Sequence, residues 1–259
     1  MKIQSSTRVL LIALALCGVQ AAVVAQMVLP PAPLRHEGFH PFPTIRTGYS
    51  PGTILQTRTD AGGRRTIPYL LPQSFPLDPP VQLVTTTEVV PSIEQTTSVG
   101  IGAALQMLLP RSIVSADVAT GLSSDTSMKI VFGSGTREML LGADVDRIVA
   151  AAIRRGLPAP GSYSVIIGTI SFYEIDATVS DKKGGQIDAS FRENVAKVGG
   201  NVRVNSSGTA VVLPSKFGER HRAFYMHQII RPTSAAIAGA DDTKFELIPG
   251  TAALEIGRE

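Results

Sequence analysis

The chain has 259 residues, 44% of them hydrophobic, with no tryptophan, nine phenylalanines and five tyrosines. So few aromatic faces weaken any reading built on stacking platforms for sugars or bases. The calculated pI of 9.1 points to an acidic partner, but that excess is concentrated in the first residues of the chain. Lys2 and Arg8 fall in an amino-terminal leader; without them 22 bases face 21 acids, a formal charge of +1 from the +3 of the whole chain.

The leader begins Met1-Lys2-Ile3-Gln4-Ser5-Ser6-Thr7-Arg8, a positive stretch, and continues Val9-Leu10-Leu11-Ile12-Ala13-Leu14-Ala15-Leu16, a short apolar run. That order is the pattern of a secretory signal peptide, and the run is shorter than the roughly 20 residues that span a bilayer. Val23-Val24-Ala25 predicts cleavage after Ala25, with Val19-Gln20-Ala21 as a second site. Leu14-Ala15-Leu16-Cys17-Gly18 resembles a lipobox, but Leu16 stands where a small residue is needed, which argues against lipidation of Cys17. With cleavage at Ala25 the exported chain has no cysteine, and disulfides, thiol nucleophiles and thiolate metal sites fall away together. The expected location is the periplasm or the exterior. The expected organisation is signal peptide 1–25, proline-rich arm 26–80, an α+β domain 81–250 and a tail 251–259.

From Met27 to Pro91 the chain holds twelve of its eighteen prolines. Each removes a backbone donor and biases its neighbour to extended geometry, so an extended arm is expected. Its best strand candidate is Gly52 to Thr59. Val81 to Val90 is β-branched and reads as a strand, as does Ser127 to Phe132. Ser98 to Leu109 fits a short helix or a small-residue strand. The clearest helix covers about 136–155, where Leu141, Val145, Ile148, Val149 and Ile153 recur at helical spacing before Gly156 and Pro158. Arg154-Arg155 suits the carboxyl end of its dipole.

A succession of strands follows: Tyr163 to Val179, a turn at Asp181 to Gly185, a return over Gln186 to Phe191, then Asn201 to Val204, Thr209 to Leu213 and Ala223 to Ile230. Turns rich in Gly, Asn and Ser indicate antiparallel hairpins. The predicted class is α+β: a mainly antiparallel twisted sheet, one prominent helix and an extended proline-rich arm.

Motifs for chemistry are sparse. His36 and His40 have the spacing of a helical metal pair, but the surrounding Gly38 and prolines break a helix, so they read as loop histidines. His221 and His227 are about 20 Å apart in a regular strand, too far to share an ion. Ser180-Asp181-Lys182-Lys183 matches Ser-x-x-Lys, yet it sits in a turn without companion motifs. Gly100-x-Gly102 lacks the context of a dinucleotide site. Arg64-Arg65, Arg154-Arg155 and Arg220-His221-Arg222 are too short to track a phosphate backbone and read as solvated charge. The residues thus indicate no catalytic set, no metal site, no cofactor and no nucleic-acid partner.

The order of elements from Met128 to Arg231 resembles the amino-terminal domain of gasdermins, the pore-forming proteins. The likeness rests on a strand, a helix ending in a basic pair before Tyr163-Ser164-Val165-Ile166-Ile167-Gly168, a Gly-rich hairpin, and Val211-Val212-Leu213-Pro214-Ser215 leading to Ala223-Phe224-Tyr225. The resemblance implies a membrane-inserting hairpin beginning at the Tyr163 segment, with Tyr163, Val165, Ile167, Ile170 and Phe172 as its membrane-active residues, and a homo-oligomer acting at a membrane surface. The residues themselves favour a non-enzymatic exported component of the cell envelope that binds another envelope protein. An envelope hydrolase with a site assembled only in space is the third reading.

Overall fold

The computed structural model describes residues 36–46, 48–60, 63–74, 76–108, 125–157, 162–181, 191, 193, 201–204, 210–213, 216–232, 245–254 and 256. The leader, Ala25 and Cys17 lie outside them, as do residues 182–190 of the expected turn and return strand. Its elements in chain order are His40–Arg46 (β1), Ile54–Asp60 (β2), Gly63–Leu70 (β3), Leu83–Glu88 (β4), Ile93–Gln95 (β5), Ser98–Leu108 (α1), Thr126–Phe132 (β6), Gly135–Leu140 (β7), Gly142–Arg154 (α2), Ser162–Asp181 (β8), Asn201–Val204 (β9), Ala210–Leu213 (β10), Lys216–Pro232 (β11) and Phe245–Pro249 (β12).

The sheet is organised about β8, a strand of 20 residues without a proline and rich in valine, isoleucine and threonine. Both of its edges are paired, always antiparallel. Along one edge run β2 (Ile54 opposite Val165), β7 (Gly135 opposite Phe172) and β6 (Phe132 opposite Ile175). Along the other run β11 (Ile230 opposite Tyr163, His221 opposite Phe172) and β10 (Val212 opposite Ala177). The Gly133 N–H donates to the Glu174 carbonyl at 3.0 Å, so pairing continues across the break between β6 and β7. Further out lie β4 on β7, β5 on β6, β9 on β10 and β3 on β2, while β1 and β12 share the outer edge of β11. The class is the expected one, a mainly antiparallel sheet with few helices.

Among the described residues three apolar cores form on this sheet. On one face Val145, Ile148, Val149 and Ala152 of α2 cover Ile54, Leu140, Tyr163, Val165 and Ile230. Each buried Val or Ile of that helix face contributes about 2 kcal/mol relative to exposure. Residues alternate along a strand, so Ile166, Ile170 and Phe172 point the other way. There α1 brings Ile101, Ala104, Leu105, Met107 and Leu108 onto Met128, Ile130, Phe132, Ile170, Phe172 and Phe224. Ile166 joins Phe42, Tyr49, Leu55, Tyr225 and Ile256 in the third core. After Phe172 the buried positions of β8 shift to Ile175, Ala177 and Val179. The change of parity coincides with the irregular pairing of β11 between Lys216 and His221.

In several places the structure departs from the sequence reading or decides between its alternatives. The helix begins at Gly142 instead of near Thr136, because residues 135–140 fill the β8 edge opposite Gly168–Phe172 as β7. No side chain caps that helix; Asp144 in its first turn accepts the Gln82 N–H and the Arg147 guanidinium. Gly156, at φ +82°, ends it as expected. Arg155 donates to the Ser74 carbonyl, a specific contact beyond the dipole. Ser98–Leu108 is the helix of its two readings. The proline-rich region is extended and carries β1, β2 and β3, with β2 falling on the Gly52 to Thr59 candidate; Pro41 and Pro43 are accommodated because, among the described strands, β1 pairs with β11 alone. Phe191, expected to end a return strand, is in helical conformation and buried in the α1 core.

Gly135 is set against the Phe172 ring: a Cβ there would lie 2.7 Å from a ring carbon and 2.9 Å from the Glu88 carbonyl oxygen. Gly135→Ala is therefore expected to cost about 2 kcal/mol in urea unfolding. Gly142 has open space around its Cα and no positive φ, and Gly142→Ala is expected to add about 0.5 kcal/mol in the same measurement.

Candidate functional site

From Tyr163 to Phe172 β8 carries no charged residue. This is about ten residues, the length of a strand that crosses a bilayer. The structure divides the five residues singled out from the sequence between two faces. Tyr163 and Val165 are buried under α2, with Ile167 partly buried beside them. Ile170 and Phe172 are fully buried under α1, where Phe172 packs on Phe132 and Phe224 with ring centroids 5.0 and 6.2 Å away. The Tyr163 hydroxyl accepts a hydrogen bond from Gln56 Nε2 at 2.9 Å. Glu174 and exposed Asp176 follow only after the doubly buried stretch ends. The charge-free half of β8 is thus sealed on both faces, and its last nine residues bury one face.

A second cluster lies where β1 and β12 meet end to end on β11. His40 and His227 are each 2% exposed, with ring centroids 5.7 Å apart. His40 Nε2 donates to the Gly250 carbonyl at 3.2 Å and His227 Nε2 to the Ala252 carbonyl at 3.0 Å. A carbonyl only accepts, so both rings carry their proton on Nε2. The Gly250 N–H returns a bond to the His227 carbonyl at 3.0 Å, and the Leu254 N–H donates to the Tyr225 hydroxyl at 2.7 Å. Burial pushes the Tyr225 phenol far above its ordinary range. Burial lowers the His227 pKa, opposed by the bond to Ala252 and reinforced by His40.

The spacings His36–His40 and His221–His227, read from the sequence as unable to hold an ion, do not set the histidine contacts of the fold, where His40 meets His227. His221 lies against the Glu219 carbonyl at 2.9 Å. His36 belongs to a tight turn, His36 to Phe39, in which Glu37 and Gly38 have φ of +45° and +83°. Positive φ at both central positions is what a two-residue hairpin turn requires. The turn delivers His36 Nε2 to Glu88 Oε1 at 2.9 Å, and Arg137 reaches Glu37 at 3.3 Å and Glu88 at 3.5 Å while lying over the Phe39 ring. Ligand atoms of His36, Glu37 and Glu88 lie within 4.8 Å of one another, a spacing that suits a divalent cation. Arg137 already compensates both carboxylates, so the cluster acts as an ion-pair clasp holding the turn to β4 and β7.

The Glu88 and Glu37 side chains are 13% and 62% exposed. Glu88→Ala is expected to destabilise by about 2 kcal/mol, because it strips a partly buried histidine and arginine of their partner. Glu37→Ala should cost under about 0.5 kcal/mol. Urea denaturation of the two variants measures the difference.

No family model matches the sequence, and no curated protein does. Among solved structures the chain is similar to a bacterial gasdermin from Bradyrhizobium tropiciagri, with a TM-score of 0.57 over 85% of this chain and 89% of that one, at 14% identity. The shared architecture extends well beyond the Met128 to Arg231 segment in which the resemblance is legible. The protein has the fold of a bacterial gasdermin.

Proposed function

We propose that the protein is membrane-active and forms pores, with the Tyr163–Phe172 half of β8 supplying membrane-crossing strand once its covers lift. The observation that carries this reading is a twenty-residue strand whose charge-free half is buried on both faces beneath separate helices. An ordinary sheet exposed to water on one side does not need such a strand. In lipid, apolar side chains on both faces cost nothing, whereas unpaired backbone would, so insertion requires neighbouring strands of the same or another copy. A homo-oligomer at the membrane follows. The likeness to a gasdermin supports this reading over a purely adhesive envelope component, for which the leader is the support. We place its action outside the cytoplasm, after export and removal of residues 1–25.

The β2–β3 hairpin suits approach to an anionic surface. Arg58 stands directly opposite Arg65, Arg64 is the next residue, and all three are exposed. Like charges opposed across a ladder are unfavourable unless an anion compensates them. Each arginine near an anionic leaflet contributes about 1 kcal/mol.

Purified protein with residues 1–25 removed is expected to release dye from vesicles containing phosphatidylglycerol at micromolar concentration or below. Failure on every lipid composition, with the arm intact and with it trimmed, would overturn the proposal. Reversing Arg58, Arg64 and Arg65 to Glu should weaken binding to the anionic vesicles by at least about tenfold, read by co-sedimentation.

A further inference from the structure

We propose that His36, Glu37 and Glu88 form a zinc site, in which one imidazole nitrogen and two carboxylate oxygens take the ion and Arg137 steadies the carboxylates from outside. Without a metal the same groups hold the turn as an ion-pair clasp. The three ligands come from two stretches whose backbone is already fixed. His36 and Glu37 are neighbours in the turn closed by the His36 N–H to the Phe39 carbonyl at 3.3 Å and the Phe39 N–H to the His36 carbonyl at 2.7 Å. Phe39, the last residue of that turn, is fully buried in the α1 core. Glu88 ends β4, opposite Gly135 of β7. Ligands carried on rigid backbone need little ordering when the ion arrives. Spacing in the sequence does not show the set, because Glu88 follows His36 by 52 residues.

The charges leave room for a cation. Two carboxylates meet one permanent cation, Arg137, so one negative charge is left for the imidazole or a metal ion to balance. Arg137 reaches both carboxylates through the same terminal nitrogen, at 3.3 and 3.5 Å, longer than the roughly 2.8 Å of a strong charge-assisted bond. The two oxygens of Glu88 have different partners: Oε1 lies 2.9 Å from His36 Nε2, and Oε2 lies 3.5 Å from Arg137. Zinc can therefore enter between Oε1 and Nε2 while Oε2 keeps its arginine. Metal-binding carboxylates are commonly oriented by a hydrogen bond of this kind. Arg137 also rests over the Phe39 ring, 5.1 Å from its centroid, so the ion does not have to displace it.

The ligand atoms of the three residues lie within 4.8 Å of one another. Around tetrahedral zinc, ligands at about 2.1 Å stand roughly 3.4 Å apart. His36 and Glu88 would separate by a few tenths of an ångström, and Glu37, whose side chain is 62% exposed, would swing inward. A carboxylate only accepts, so His36 Nε2 carries the proton that faces Glu88. Binding replaces that N–H bond by a zinc–nitrogen bond and releases the proton to water. Water completes the coordination on the exposed Glu37 side. A nitrogen ligand selects zinc over calcium and magnesium, which favour oxygen alone. None of this rests on the pore-forming reading.

The test uses tag-free protein with residues 1–25 removed, stripped with a chelator and titrated with zinc chloride in a calorimeter. One ion should bind per chain, and the melting temperature should rise with zinc concentration. Calcium and magnesium chloride at the same concentrations should do neither. His36→Gln, which keeps a donor for Glu88, and Glu37→Ala, at an exposed side chain, should each weaken zinc binding by at least about tenfold. Their melting temperatures without zinc show that both variants are folded. His221→Gln should bind zinc as the wild type does. No binding to the wild type with zinc in excess, or undiminished binding in both His36→Gln and Glu37→Ala, would overturn the site. Dye release on the same samples separates the proposals: zinc binding without leakage under any condition keeps this site and refutes the pore, and leakage without zinc binding does the reverse.

Discussion

The structure depends on β8 being satisfied on all four sides. Its backbone is paired along both edges, by β2, β7 and β6 on one and β11 and β10 on the other. Its first half is also buried on both faces. Every other element either ladders onto β8, ladders onto a strand that does, or covers a face of the sheet so formed. Removing one cover would expose valine, isoleucine and phenylalanine side chains in a row, while the ladders would keep the strand extended. That combination of a laddered strand under separate covers is what the proposed membrane role draws on.

The covers differ in how firmly they are attached. α2 is tied by its apolar face and by polar contacts of Asp144, Arg147 and Arg155 to the 74–82 stretch. α1 has no acidic or basic residue at either end and is held by apolar packing. The described residues of 250–256 are held more slightly, by Leu254 and Ile256 in the third core and by hydrogen bonds with His40, His227 and Tyr225. Such a gradation lets the molecule open locally without losing its sheet, since local openings follow the regions with least buried area and fewest backbone bonds.

Polar clusters serve the same design at the margins. His36, Glu37, Glu88 and Arg137 bind the turn before β1 to β4 and β7, and the backbone hydrogen bonds between His36 and Phe39 close that turn around Glu37. β8 changes from two-sided to one-sided burial next to Gly133 and the irregular stretch of β11. Glu174 and Asp176, which interrupt the apolar pattern in sequence, occupy the half of β8 that needs only one dry face.

The sequence by itself determined the class, the strand at Tyr163–Val179, the helix and its stop at Gly156, and the resemblance now matched by the fold; each depends on local periodicity or on the backbone freedom of glycine and proline. It also determined that the first residues carry the excess positive charge and the cysteine. Tertiary structure decided the rest. Thr136–Leu140 reads from the sequence as the start of the helix, yet it is a strand because an open β8 edge offers a ladder that local propensity does not record. Val165 and Phe172 look like members of one apolar stripe, but they face opposite cores because strand residues alternate and two covers exist. His40 and His227 are far apart in the chain; their contact arises only when β1 pairs with β11, so no spacing rule could bring them together.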